Sequence, residues 1–298
     1  MPLDPAALGR TLPEWTAEWS DTESLLYALA VGAGQEDPLA ELSYTTENTA
    51  GVAQQVVPTF AVVLGFGPGM PDVGDFDPTR AVHAEQELEV DGPIPPAGRA
   101  RVTTTVTDLW DKGRDAIVWT ETVLTDAETG RRLSRARTGA FLGGAGGFGG
   151  DRGSGREWSL PDRAPDHAVA FTTRPEQALL YRLTGDRNPL HADPAFAARG
   201  GFPRPILHGM CTYGYAARLL VGLLADGDAS RFHTMSGRFT RPVLPGDELR
   251  LQVWADEAGP GASFRVLAGT GEPVLDRGRV SVRSGVAPSG SEPAEGLA

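Results

Sequence analysis

The stretch "YRLTGDRNPLH" places an acid, an amide and an imidazole within six residues, Asp186 to His191. Gly, Asp, Asn and Pro all suit a surface turn, but a turn has no need of a histidine after Pro189 and Leu190. With its shape fixed by Pro189, such a turn can aim the Asp186 carboxylate and the His191 imidazole at one small volume, as general acid–base chemistry requires. A plain Asx turn with His191 packed beneath it would use the same residues, so the string alone leaves both readings open. Downstream, "PILHGM" puts Gly209 at the start of an apolar helical pattern. Backbone N–H groups there lack intrahelical partners, the helix dipole favours an anion, and a residue without a side chain lets a carbonyl come close. An acid, a base and an oxyanion donor together make a chemical proposal.

These residues need elements to hold them. "FTTRPEQALLYRLTG" carries helix signals: Thr173 and Glu176 fit a capping box, Pro175 a first turn and Gly185 a C-terminal cap, which predicts a helix over 175–184. "DPAFAARGGF" reads as a short helix capped by Asp193. "PILHGMCTYGYAARLLVGLLAD" reads as a long one, with Met210, Tyr213, Ala217, Leu220 and Leu224 on one face and Gly214 and Gly222 permitting close packing. "HTMSGRFTRPV", "DELRLQVWADEA", "ASFRVLAG" and "PVLDRGRVSVRS" then read as strands. One long helix followed by antiparallel strands predicts an α+β unit whose sheet wraps the helix.

The two halves echo each other. "LLYALAVGAGQEDPL" from Leu25 resembles "LLYRLTGDRNPL" from Leu179, and "PIPPAGRARVTTTV" from Pro93 resembles "PVLPGDELRLQVW" from Pro242. Both offsets are close to half of the 298 residues. A duplication accounts for them, and each half is expected to hold one helix-and-sheet unit. "GGAGGFGGDRGSGR", from Gly143 to Arg156, has linker composition, and the tail from Ser284 has the composition of a disordered segment. The predicted layout is an N-terminal unit over 1–150, a linker over 151–168, a C-terminal unit over 169–285 and a disordered tail over 286–298.

Composition narrows the function. A hydrophobic fraction of 40% builds a globular core, and a formal charge of −12 argues against general nucleic-acid binding or an anionic membrane surface. No apolar run approaches a membrane span and the first residues lack signal-peptide features, so a cytoplasmic protein is expected. Cys211 is the only cysteine, which excludes an intrachain disulfide and a cysteine-based zinc site. The five histidines are too scattered for an HExxH-type motif, and no metal is expected. Lys112 is the only lysine among 27 basic residues.

The segment "YRLTGDRNPLHADPAFAARGGFPRPILHGMCTYGYAAR" strongly resembles the signature of the MaoC-like (R)-specific enoyl-CoA hydratases, or type-2 hydratases. "VVPTFAVVLG", "VHAEQELEV", "LWDKG" and "GGAGGFGG" resemble the N-terminal half of their two-domain members. The resemblance implies a double hot-dog fold, two antiparallel sheets each wrapping a long central helix. It implies a hydro-lyase that adds water to a trans-2-enoyl-CoA to give a (3R)-3-hydroxyacyl-CoA, in fatty-acid or sterol side-chain metabolism. Asp186 and His191 would be the catalytic pair, Asn188 their support and Gly209 the donor to the thioester carbonyl. His83, Ala84, Lys112, Arg187, Pro189, Leu190 and Phe239 would contact the acyl-CoA. Ala84 departs from the glycine usual in the family, and its methyl group would narrow the site. No cofactor is implied beyond the CoA that arrives with the substrate, and the expected assembly is a homodimer.

The first half has "AVGAGQEDPLA" where the second has "TGDRNPLHA", with no histidine after Leu39. It is therefore expected to be catalytically silent and to hold the acyl tail beside "VVPTFAVVLG", with Ala61 at the wall. Lys112 and His83 also suit structural roles, His167 and His233 read as structural, and Cys211 reads as a packing residue. The alternatives are a non-catalytic acyl-CoA binding protein, a dehydratase of acyl-carrier-protein substrates, and a thioesterase. The last would need an acid on the central helix, whose first turns offer none.

Overall fold

A computed structural model describes residues 3–154 and 158–284 of the chain. The predicted tail over 286–298 lies outside the described residues. In the first half, β1 (Trp15–Trp19) leads into α1 (Asp21–Ala30), α2 (Leu42–Thr45) and α3 (Phe60–Leu64), then β2 (Ala81–Val90), β3 (Gly98–Asp111), β4 (Ala116–Asp126) and β5 (Arg132–Leu142). The second half repeats the order: β6 (His167–Thr172), α4 (Gln177–Tyr181), α5 (Pro194–Arg199) and α6 (Gly209–Ala225), then β7 (Phe232–Phe239), β8 (Glu248–Ala255), β9 (Gly261–Ala268) and β10 (Pro273–Val282).

The expected two sheets are halves of one. The strand order is β1-β3-β4-β5-β2-β7-β10-β9-β8-β6, palindromic about the β2–β7 seam, as a duplicated unit joined edge to edge requires. At the seam Glu85 pairs Arg238 and Leu88 pairs Met235, antiparallel. One continuous core crosses it, from Tyr27, Phe60 and Val63 to Met210, Tyr213 and Leu220.

The helices are less alike than the strands. α6 is long, but its counterpart α3 stops after five residues. "GFGPGMP", from Gly65 to Pro71, follows α3, and its glycines and prolines cannot continue a helix. The helix predicted over 175–184 is α4 followed by a 3-10 turn, Arg182–Thr184, ending at Gly185 with φ 137°. The expected capping box is absent. Thr173 instead accepts from Gly246 N (3.0 Å), tying the "PVLPGD" turn to the start of α4. The short helix capped by Asp193 is α5, with the carboxylate accepting from Ala195 N (2.8 Å).

"GGAGGFGG" does not hang free. Asp111, buried at the end of β3, accepts from Gly113 N (2.8 Å), Gly147 N (3.0 Å) and Gly149 N (2.7 Å), which holds its carboxyl below the ordinary range and wraps the segment around it. Gly147 and Gly149 make this turn at φ 87° and 80°, a region open to glycine.

The first-half counterpart of the Asp186–His191 turn is a joint. The Gln177 amide donates to Ala30 O (2.7 Å), the Tyr215 hydroxyl lies 2.7 Å from both Gln35 Oε1 and Gln177 Oε1, and Arg218 clasps both Glu41 oxygens at 2.6 and 2.7 Å. The end of α1 is thereby locked to α6.

Of the two glycines expected to permit close packing, only Gly214 does so. A Cβ there would lie 2.5 Å from Val31 Cγ1, whereas one at Gly222 would meet nothing within 4 Å. Gly214→Ala should therefore destabilise the protein by about 1–3 kcal/mol. Gly222→Ala should stabilise it by up to about 1 kcal/mol through helix propensity. Thermal unfolding followed by circular dichroism should show shifts of opposite sign.

Candidate active site

The turn after Gly185 is built from its own side chains. Asp186 Oδ1 accepts from Asn188 N (3.1 Å), and Asn188 Oδ1 accepts from Leu190 N (3.0 Å), capping the 3-10 turn Pro189–His191. The Asx-turn reading is thus realised. Pro189 faces outward, while Leu190 and His191 turn inward and are buried.

His191 Nδ1 lies 2.9 Å from Ile206 O. A carbonyl can only accept, so Nδ1 carries the proton and the neutral ring presents a bare Nε2. Burial lowers the His191 pKa, opposed by the Asp186 carboxylate and by the Ile206 bond, which keeps the ring neutral near pH 7. His83 is lowered in the same way by desolvation.

The chain's most informative unassigned residue is His208. Its ring stacks on His191 with centroids 3.7 Å apart, and its Nε2 donates to Asp186 O at 3.3 Å. It therefore braces both members of the pair from below. The sequence carries a signal: a histidine stands at the N-cap of α6, where Ser, Thr, Asp or Asn is usual. Its Nδ1 has no partner among the described residues, and burial, reinforced by His191, holds its pKa well below the ordinary value.

These groups open on a cavity of about 590 Å³ lined by Asp186, Asn188, Leu190, His191, Gly209, His83 and Phe239, among others. Gly209 is the first residue of α6, and its N–H has no acceptor among the described residues. A Cβ there would come 3.2 Å from the Phe239 ring, so the glycine keeps this wall bare. Thr212, one turn on, also lines the cavity with an unpartnered hydroxyl.

Other expected contacts divide. Arg187 lines the mouth with Arg241. Lys112 and Ala84 are not in the wall. The Lys112 ammonium sits 4.8 Å over the Trp110 ring and donates to Arg152 O. Ala84 occupies a β-bulge between His83 and Glu85, a backbone irregularity that turns His83 toward the cavity side. Ala61, expected at the tail wall, is fully buried in the core, and the wall begins at Gly65. The reason is the brevity of α3: the open space lies beyond its end rather than beside it. His233 contacts Val90 O and Arg283, and Cys211 packs against Ala30 O, both structural.

Asp186, His191 and His208 each offer one donor atom within 4.8 Å of the others, the spacing a metal could use. The near-parallel rings, 29° apart and stacked, do not suit one: imidazole lone pairs lie in the ring planes and cannot converge at about 2.1 Å on one ion without breaking the stack.

The three lowered imidazoles have a consequence for stability. The unfolded chain takes up protons near pH 6.5 and the fold does not, so stability is full above that pH and is lost as pH falls. Between pH 7.5 and 5.5 the melting temperature should drop by at least about 2–4 °C, the equivalent of roughly 1 kcal/mol in a chain of this size. His208→Gln should shrink the drop; a flat profile in the wild-type protein would contradict this electrostatic reading.

Residues 18–144 match the MFE-2 hydratase 2 N-terminal domain and residues 157–271 the MaoC like domain. The chain is 43% identical to 3-hydroxyacyl-thioester dehydratase Y of Mycobacterium tuberculosis, over 96% of this chain and 100% of that protein. It is 44% identical to enoyl-CoA hydratase ChsH3 of the same organism, over 86% and 91%. The structure superposes on a MaoC-like dehydratase from Phytophthora capsici with a TM-score of 0.83 and 29% identity, covering 94% of this chain and 97% of that one. The fold is the double hot dog, and the chain belongs to the MaoC-like hydratase–dehydratase family, in the two-domain form with a hydratase 2 N-terminal domain ahead of a MaoC-like domain.

Proposed function

We propose that the protein is a hydro-lyase that adds water to a trans-2-enoyl-CoA to give the (3R)-3-hydroxyacyl-CoA, and runs the reverse dehydration. The observation that carries this reading is a carboxylate oxygen of Asp186 within 4.8 Å of a ring nitrogen of His191, in the wall of a cavity that Gly209 also lines. The water oxygen bonds to C3, the π pair moves toward the thioester, and the charge that builds on its oxygen is met by the Gly209 N–H. Asp186 and His191 between them take a proton from water and deliver one to C2, which restores their joint protonation state. The addition is not a redox step and asks for no redox cofactor. Relatives named for enoyl-CoA hydratase and 3-hydroxyacyl-thioester dehydratase activities support both directions of the reaction.

In this reading Asn188 holds the turn, His208 braces it, and Arg187 and Arg241 at the mouth meet the CoA phosphates. The first half is silent because its counterpart turn is spent on the joint with α6, and the site is single per chain. The homodimer rests on the family resemblance. A cytoplasmic location also belongs to the proposal; among the described residues no helix is long and apolar enough to cross a membrane.

Asp186→Asn and His191→Gln should each lower kcat by roughly two to four orders of magnitude while leaving the circular dichroism spectrum intact. Chiral analysis of product from crotonyl-CoA should give the (3R) alcohol; predominant (3S) product would refute the stereochemistry, and no turnover of any enoyl-CoA would favour a binding protein. The tail arm lies beyond α3, so Thr122→Phe should depress kcat/KM for trans-2-decenoyl-CoA more than for crotonyl-CoA, because the shared CoA and thioester contacts cancel in the ratio.

A further inference from the structure

The arm of the cavity in the first half is not lined as a plain hydrocarbon tunnel would be. Thr104 on β3, Thr120 and Thr122 on β4, and Thr138 on β5 all face it. Thr104 stands opposite Thr122 and Thr120 opposite Thr138. Because Thr120 and Thr122 are two apart on one strand, the four form a single patch on the inner face of the sheet. Valine has the same branching and strand preference without the hydroxyl, so hydrocarbon contact alone would favour valine at each position.

Hydrogen bonding accounts for three of the hydroxyls. Thr104 and Thr122 lie 3.1 Å apart, oxygen to oxygen, and Thr138 donates to Gln86 Oε1 at 2.9 Å. Thr120 is 9% exposed, and no protein group among the described residues bonds its hydroxyl, which is open to the cavity. It is not sealed in the core either, since its side chain forms part of the cavity wall. A hydroxyl left free by the protein and facing the cavity offers a hydrogen bond to whatever occupies that arm. The rest of this arm, Gly65, Phe66, Gly67, Gly69 and Met70, carries no charge, so a neutral group fits and a carboxylate does not. His83 pairs Ala140, Thr138 is two residues farther on β5, and Thr120 is one strand beyond. That path covers roughly 12 Å, within reach of a medium-length acyl chain.

We propose that Thr120, with the Thr104–Thr122 pair beside it, binds a neutral oxygen function, a hydroxyl or keto group, carried on the acyl chain several carbons beyond the reacting double bond. The substrate class is therefore an oxygenated enoyl-CoA rather than a plain one. This rests on the hydratase reading and narrows it. Thr120 is a specificity residue here, since it lies away from the reacting atoms.

The test measures kcat/KM for trans-2-decenoyl-CoA and for its 6-, 8- and 10-hydroxy derivatives. The wild-type protein should prefer at least one hydroxylated chain by about fivefold to tenfold, the effect of one net hydrogen bond. Thr120→Val should bring that ratio to near one, and Thr120→Ser, which restores the hydroxyl, should recover most of it. A wild-type ratio at or below one for every derivative overturns the inference while leaving the hydratase intact, as does a ratio that Thr120→Val leaves unmoved. Turnover of none of the four would instead overturn the hydratase reading on which the inference stands.

Discussion

The antiparallel pairing of Glu85–Glu89 on β2 with Thr234–Arg238 on β7 turns two five-stranded units into one sheet, and the cavity exists because of it. His83 stands just before that pairing and Phe239 just after it, and both are in the cavity wall. Their rings lie 6.3 Å apart across the seam. Both halves line the cavity, and in the proposed reading the acid and base come from the second half and the tail space from the first. A ladder of main-chain hydrogen bonds, buried on its core side, is a rigid way to hold such a division of labour, because a slip by one residue would turn every side chain to the opposite face.

The two copies of the duplicated unit differ where function differs. In the second half the segment after α4 makes an acid–base turn open to the cavity. In the first, the segment after α1 is spent on Gln35, Glu41 and the carbonyls of Ala30 and Val31, all bound by α6 and α4. Gly32 shows how tight this joint is: a Cβ there would fall 2.2 Å from the Tyr215 ring. The helices diverge in the complementary sense. α6 keeps its length and begins at Gly209, while α3 is cut short by the glycines and prolines that follow it, and the cavity extends into the room it gives up.

Much of this was legible in the sequence for physical reasons. Strand β8 and the latter part of β10 alternate, and turn residues separate the strands. Asp186, Asn188 and His191 stand in one short stretch, so their proximity needs no tertiary information. What was hidden depends on contacts between distant segments. The union of the sheets rests on which edge strands meet, which alternation does not encode. Thr173 fits a capping box locally but is taken by Gly246, more than seventy residues away. Glycine-rich composition at 143–150 reads as a linker until Asp111 is seen to gather three of the surrounding N–H groups. His208 was overlooked because its importance lies in stacking on His191, and Lys112, notable as the only lysine, is held over Trp110 outside the cavity wall.

The central claim is that one site, shared by the two halves, does the chemistry with the second half and holds the tail with the first. A crystal structure of the Asp186→Asn protein with trans-2-decenoyl-CoA tests it most directly. The account predicts one ligand per chain, its thioester oxygen on the Gly209 N–H, its double bond beside residue 186 and His191, and its tail running beyond α3 against the β3–β5 threonines. A tail lodged within the second half, or a second ligand seated at the Gln35–Glu41 joint, would contradict it.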